Sequence, residues 1–359
     1  MSKQGIELQF NWIFILIAGA IILAFFFSVV QKQRALNEER LSLTLSAQMD
    51  AVFAGAIESK GTTQANLAVP RSGITFSCTS FCTCKYYIGK ATTDFGDKLL
   101  FAPASIKGQN AIASAVEWKF PFRIANFLVL TSPAIKYFII YDSSNQPSVQ
   151  LFRHVNKILP REISQQTFSS VSAAYEVAPE GYDHTRFVFL GTTEPDLGRL
   201  NPQFMEEDVS GVWIDQDFSK VIFYEKTSEG TLDFSRYPSL LAGDATALAA
   251  VFAADHDMYN CVMRNAFDKL SIVAAVQAAR AKALKTAMEV EDRVGCSSAY
   301  AAITRELDDI ALKATILKKS FPEGKTPDEA EALRSLISVQ SRLQQQNKDL
   351  LISSCPELY

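Results

Sequence analysis

Cysteine is where this chain concentrates its reactive side chains. Cys78, Cys82 and Cys84 lie within seven residues of one another, and Cys261, Cys296 and Cys355 follow in the C-terminal third. The number is even and none falls in the apolar N-terminal run, so parity permits three disulfides. A zinc site is the alternative, with Cys78, Cys82 and Cys84 as thiolate ligands and Cys261, His184 or His256 as the fourth. The x3 and x1 spacings are unlike the usual C-x2-C knuckle, and no second knuckle follows. A third reading is reduced core cysteines, which belongs with a cytoplasmic domain. Disulfides are the expectation taken forward.

Beyond the cysteines there is little that could do chemistry. The chain has 3 histidines, and G-x-S-x-G, Walker, G-x-G-x-x-G and H-E-x-x-H patterns are absent. The best constellation lies at expected strand ends. Asp142 closes KYFIIYD, Thr192 sits in the Gly191-Thr192-Thr193 run after RFVFL, and Asp215 closes VWID. Ligands of open parallel sheets bind beyond the carboxyl ends of the strands. Asp142, Thr192 and Asp215 are therefore the candidate catalytic residues of an acidic cleft, should the chain be a tethered enzyme. Ordinary turn chemistry accounts for the same residues: Asp142-Ser143-Ser144-Asn145 is a turn sequence, and Asp215 and Asp217 flank a hairpin turn. A non-catalytic protein is the expectation, with no cofactor and no metal implied.

These residues must be held by elements, and the first is a membrane helix. Trp12 and Val30 bound nineteen residues without a charge, spanning about 28 Å against a hydrocarbon core of ~30 Å. The run ends in Phe25-Phe26-Phe27-Ser28, a poor cleavage site, so an uncleaved anchor is expected. Ala20, Ala24 and Ser28 give a small-xxx-small face on which two such helices could pack. Residues 34–57 carry Leu41, Leu45, Met49, Val52 and Ala56 at helical spacing. The anchor is expected to run on as a stalk ending near Gly61-Thr62-Thr63. Its apolar stripe must meet either this protein's head or a second copy.

From about 68 to 237 short β-rich runs are expected at 74–77, 85–88, 99–102, 124–130, 137–141, 187–190, 212–214 and 221–224. Pro147 starts a helix through Leu151, Val155 and Ile158 that Pro160 stops. Strands interleaved with helices make the head α+β or α/β. After Pro238 the chain turns helical: a long Ala-rich helix over 256–294, a second through Ile303, Leu307, Ile310, Ala314 and Leu317, and a third through Leu333, Leu336, Leu343 and Leu350. Thr326 and Glu329 form a capping box for the third, and 321–325 is a tight reversal. The division is thus 1–31 tail and anchor, 32–60 stalk, 61–238 mixed head, and 239–359 an up-down-up three-helix bundle.

On that bundle Cys296 and Cys355 come to the same end and are expected to pair. Cys261 lies roughly 50 Å from Cys296 along a straight helix. Parity then leaves it one partner among Cys78, Cys82 and Cys84, whose internal connectivity stays open. Oxidised cysteines place the head outside the cell, whereas Lys32, Arg34 and Arg40 beyond the anchor favour a cytoplasmic head. The extracytoplasmic placement is adopted.

Composition fits a folded chain, 48% hydrophobic and 21% charged. With 35 basic and 39 acidic residues the net charge is −4, and without a basic stripe no nucleic-acid partner is expected. Gln9-Phe10-Asn11-Trp12-Ile13-Phe14, Leu100-Phe101-Ala102-Pro103, Pro121-Phe122-Arg123, Tyr259-Asn260-Cys261 and the ending Cys355-x-x-Leu358-Tyr359 together resemble a group of uncharacterised archaeal single-pass membrane proteins. That resemblance implies an archaeal surface protein anchored by its N-terminus and carries no catalytic residues across. The architecture is also similar to type IV pilin-like proteins, and Lys3-Gln4-Gly5-Ile6-Glu7 resembles their charged, Gly-containing processing site with a nearby Glu. The large C-terminal helical part departs from that pattern. The function expected is a membrane-anchored, extracytoplasmic structural or interaction protein of the cell envelope. Its partners would be the lipid bilayer and either further copies of itself or another envelope protein. A pilin-like filament subunit and a membrane-tethered enzyme are the alternatives.

Overall fold

The computed structural model describes residues 4–58, 63–206, 208–215, 220–226, 232–234, 238–320 and 327–359. Thr326 and its cap, the reversal at 321–325, Asp217, and the Gly61-Thr62 end of the expected stalk lie outside them. The protein is mixed α+β: a long apolar helix, then three sheets, then helices.

Helix α1 spans Gln4–Glu58 without a break, roughly 80 Å at 1.5 Å per residue. Every large apolar side chain from Ile15 to Val30 is exposed, and the described residues contain one helix long and apolar enough to cross a membrane. Farther along, the environment changes. Leu45, Met49 and Phe53 are buried, and Ser46 Oγ lies 3.4 Å from the Tyr86 hydroxyl. The protein's own sheets cover the Leu45, Met49 and Phe53 part of the stripe, while Leu41 stays exposed.

Two small sheets receive it. One orders β1 (Thr63–Ala68), β7 (Asn110–Lys119), β8 (Arg123–Thr131) and β5 (Leu100–Phe101). The other orders β4 (Ala91–Asp94), β3 (Cys84–Ile88), β2 (Ile74–Cys78) and β6 (Ser105–Ile106). The expected strand at 99–102 shrinks to the two residues of β5. The ten-residue β7 was not expected, since Ala and Ser in NAIASAVEWK argue against a strand; burial on both faces overrides that preference.

The large sheet orders β10 (Ser164–Phe168), β9 (Ile135–Tyr141), β11 (His184–Leu190), β12 (Val209–Ile214), β13 (Lys220–Lys226) and β14 (Leu232–Phe234), with β15 (Ser239–Leu240) also on β13. Strands β10, β9, β11 and β12 run parallel, and β12 and β13 form the expected hairpin. Both faces are covered, so these strands read as continuous apolar runs rather than alternating ones. Tyr137 and Ile139 join the main core, while Phe138, Ile140, Phe187, Phe189 and Phe204 form a second cluster on the opposite face.

Helix α2 (Gln146–Ile158) begins as read: Asn145 caps it, its side chain accepting from the Ser148 N–H, and Pro147 sits in its first turn. After the short α3 (Val171–Tyr175) come α4 (Asp244–Phe252), α5 (His256–Val290), α6 (Val294–Ser320) and α7 (Pro327–Ile352). The long helix expected over 256–294 thus stops at Val290, where Asp292 turns the chain with φ 55°. Ion pairs Lys318–Asp268 and Lys282–Asp308 set α6 antiparallel to α5, and Arg342–Glu306 joins α7 to α6. Ala274, Ala278 and Ala281 are buried on α5, small enough to let a neighbouring backbone approach closely. The main core passes without interruption from Leu45 through the sheets to Leu358.

Candidate functional site

Strands β9, β11 and β12 are parallel neighbours ending at Tyr141, Leu190 and Ile214. Asp142, Thr192 and Asp215 therefore follow on one edge of the sheet, as the strand pattern implied. What the edge does with them is a different matter. The Asp142 carboxylate accepts from the Ser144 N–H at 2.8 Å and the Ser144 hydroxyl at 2.6 Å. Those two bonds hold its pKa below the usual carboxylate value. The Asp142 N–H donates to Ser148 Oγ at 2.8 Å, and Ser148 Oγ donates to the Leu190 carbonyl at 2.5 Å. That hydroxyl pins the first turn of α2 across the strand ends. Gly191, at φ +60°, permits the approach, because a Cβ there would lie 2.8 Å from Ser148 Cα.

Thr192 is buried, with its hydroxyl donating to the Thr193 carbonyl at 2.9 Å and its own carbonyl accepting from Trp213 Nε1 at 3.1 Å. Asp215 accepts from the Lys220 N–H at 3.4 Å across the hairpin. The sheet brings the three positions to one edge, but the Asp142 and Thr192 polar atoms make local turn bonds, and α2 packs over the ends of β9 and β11. Cavities of about 560, 200 and 600 Å³ lie elsewhere and take no lining from these three residues.

At the opposite end of the same strands sits a buried charge that sequence reading missed. Arg186, the third residue of β11, is 4% exposed. Its guanidinium donates to the carbonyls of Ala253 at 2.7 Å, Ala254 at 3.1 Å and Ala250 at 3.3 Å, and to Ser210 Oγ at 2.9 Å. It therefore satisfies the open carbonyls at the C-terminus of α4, where the helix dipole is negative. The Phe223 ring lies 5.7 Å from its central carbon, and burial pushes its pKa down to about 10. At neutral pH it keeps its charge. Asp255 then caps α5, accepting from the Met258 N–H at 2.7 Å, and burial pushes its pKa up to about 6.

His184 bonds Ser210 Oγ at 2.8 Å and faces Asp208 at 3.3 Å. His154 faces Asp244 at 3.2 Å, and His256 bonds Asn260 at 2.8 Å. A 200 Å³ cavity touches Arg186, His184, Asp208 and Asp255, and of these Arg186 fastens the α4–α5 elbow to the sheet. The only trace of this node in the sequence is one arginine ahead of an apolar run.

The chain matches no family model, no curated protein and no solved structure.

All six sulfurs are paired. Cys78 bonds Cys84 across β2 and β3, Cys82 bonds Cys261 at the start of α5, and Cys296 bonds Cys355. With these sulfurs oxidised, the three-thiolate zinc arrangement does not exist in this structure. The loop between Cys78 and Cys84 is also tied by Cys82 N–H to the Thr79 carbonyl at 2.8 Å. It carries Phe81, 89% exposed. At the far end, the Cys296–Cys355 bridge is joined by bonds from Arg293 to the Ser354 carbonyl and from the Tyr300 hydroxyl to the Pro356 carbonyl, each at 2.5 Å. Leu358 is fully buried and Tyr359 meets Phe122 edge-on at 5.4 Å.

Proposed function

We propose that this protein is a membrane-anchored, non-catalytic structural or interaction protein of an archaeal cell envelope, with its head outside the membrane. One observation carries the reading: a single helix is apolar and exposed over residues 15–30 and locked into the head through Leu45, Met49 and Phe53. Such a helix transmits position and force from bilayer to head without a hinge. The three disulfides support an oxidising compartment. In this reading the second half of α1 is a stalk, and α5, α6 and α7 act as a three-helix bundle. The exposed segment with Ala20, Ala24 and Ser28 offers a surface for further copies or an envelope partner.

A pilin-like filament subunit is the second reading. The observation favouring it is that α1 is half committed to the head and half uncovered, the division a helix needs to pack in a filament core. Labelling in intact cells tests the placement. Gln344, exposed on α7, is changed to Cys and treated with a membrane-impermeant maleimide. Labelling without lysis is expected; labelling only after lysis overturns the extracytoplasmic head. The mature N-terminus separates the two roles, since cleavage next to Gly5 belongs to the filament reading and an intact Met1 to the anchored one.

A further inference from the structure

The cleft of about 560 Å³ lies where α1, β8 and α5 converge. Its walls are mostly apolar, Phe53 from α1, Leu99 and Leu128 beside β5 and on β8, and Ile272 and Val273 from α5, with the buried Asn126 of β8 among them. Its size falls within the range of small-molecule sites. Ile272 is 58% exposed and Val276, one turn farther along, 62% exposed, so the apolar wall runs out through the mouth along α5.

The rim is charged. Lys98 pairs with Asp97 at 2.8 Å and Arg123 Nε lies 3.5 Å from Glu117. Lys269 stands at the same rim, exposed, and its charge acts on the Asp97 carboxylate, which is in contact with Lys98. Long apolar walls with a cation at the mouth complement one kind of molecule, an aliphatic chain ending in a negative charge. The helix that supplies Phe53 is also the one that carries the exposed apolar segment at residues 15–30, about 35 Å farther back along its axis beyond the polar stretch 31–40.

We propose that this cleft binds a single-chain amphiphile with a carboxylate head group, its chain against Phe53, Leu128 and Val273 and its head at Lys269. The polar, turn-forming strand ends have no comparable apolar volume, and the Arg186 cavity is too small and too charged for such a chain. Binding would wedge α1 and α5 against the same ligand and stiffen the junction between anchor and head.

Photo-cross-linking locates the ligand rather than merely detecting it. The full-length protein is placed in nanodiscs of zwitterionic lipid with a diazirine-bearing palmitate analogue, irradiated and mapped by peptide. Label is expected on the peptides containing Leu128 and Val273. It should fall about tenfold in Lys269→Glu, as for loss of one charge-assisted contact, and also in Ile272→Asp. Both positions are on the surface, and an unchanged disulfide map shows that the variants have folded. Label confined to residues 15–30 overturns the proposal. So does equal cleft labelling by the corresponding alcohol, or preferential labelling by a two-chain phosphatidate analogue.

Discussion

Buried polar groups decide more at the residue scale than the exposed acids first in view. Arg186 donates to three carbonyls at the end of α4 and cannot be replaced by a lysine, whose single ammonium lacks the planar fork. Asp255 sits in the same elbow with Arg186, Glu225 and Asp257 as its charged neighbours. Its pKa rises from 3.8 to about 6 chiefly through burial. Between those values the folded protein holds a proton that the unfolded chain has released, so this group's contribution to stability falls as pH rises through that window. Asp255→Asn keeps an oxygen to accept from Met258 N–H and removes the ionisation. The variant should melt higher than the parent at pH 7 and converge with it near pH 4. A parent and variant whose melting curves differ equally at both pH values would show that Asp255 is ionised at no cost in the fold. The LFAP, PFR, YNC and C-terminal LY segments tell a related story. Phe101, Phe122, Tyr259 and Leu358 are all buried, so packing is what those segments carry.

At the scale of elements, the junction between α1 and the head is the feature with most consequence. Met49 is 1% exposed, between Leu45 and Phe53 on the covered face. Met49→Ala leaves a cavity there and should lower stability by about 2–5 kcal/mol, read by denaturant melting of the detergent-solubilised protein. A loss that varies with protein concentration would instead mark this face as a contact between copies. The α1 stripe itself was legible, because three- and four-residue spacing is a local property; its cover was not, because a sheet assembled from residues up to Thr131 provides it. Helices α6 and α7 were legible for the same reason, through Ile303, Leu307 and Ile310 and through Leu333, Leu336 and Leu343. Helix α4 was not. DATALAAVF is buried almost all round, and a helix without a polar face has no period to read. Strand β7 was hidden by its alanines, and the meeting of Asp142, Thr192 and Asp215 was readable only as far as strand order. That α2 would pack over the ends of β9 and β11 depends on Gly191 and Ser148 touching across 43 residues.

For the molecule as a whole, the three disulfides add covalent ties to a core that already runs from α1 through the sheets to the C-terminal helices. Cys78–Cys84 closes 6 residues, Cys296–Cys355 closes 59 and Cys82–Cys261 closes 179. The chain-entropy model assigns these loops about 2, 4 and 5 kcal/mol, upper values because ordered unfolded chains lose less. The longest loop matters most in position too, since it binds the β2–β3 hairpin to the first turns of α5 while the sheet beneath packs on α1. Reduction should therefore lower the stability of this shared core as a whole. In the Cys296–Cys355 region the loss is smaller than the model value, because Tyr300, Arg293 and the buried Leu358 hold the C-terminus independently. This gives a comparison that tests location and stability together. Protein purified from its host under alkylating conditions, without reductant, is melted before and after treatment with a strong reductant. A marked drop in melting temperature, larger in the parent than in a Cys82→Ser/Cys261→Ser variant, is expected if the head matures in an oxidising space. A melting temperature indifferent to reductant, with all six thiols already alkylated, would place the head on the cytoplasmic side. It would also restore the basic flank at Lys32, Arg34 and Arg40 as the guide to topology.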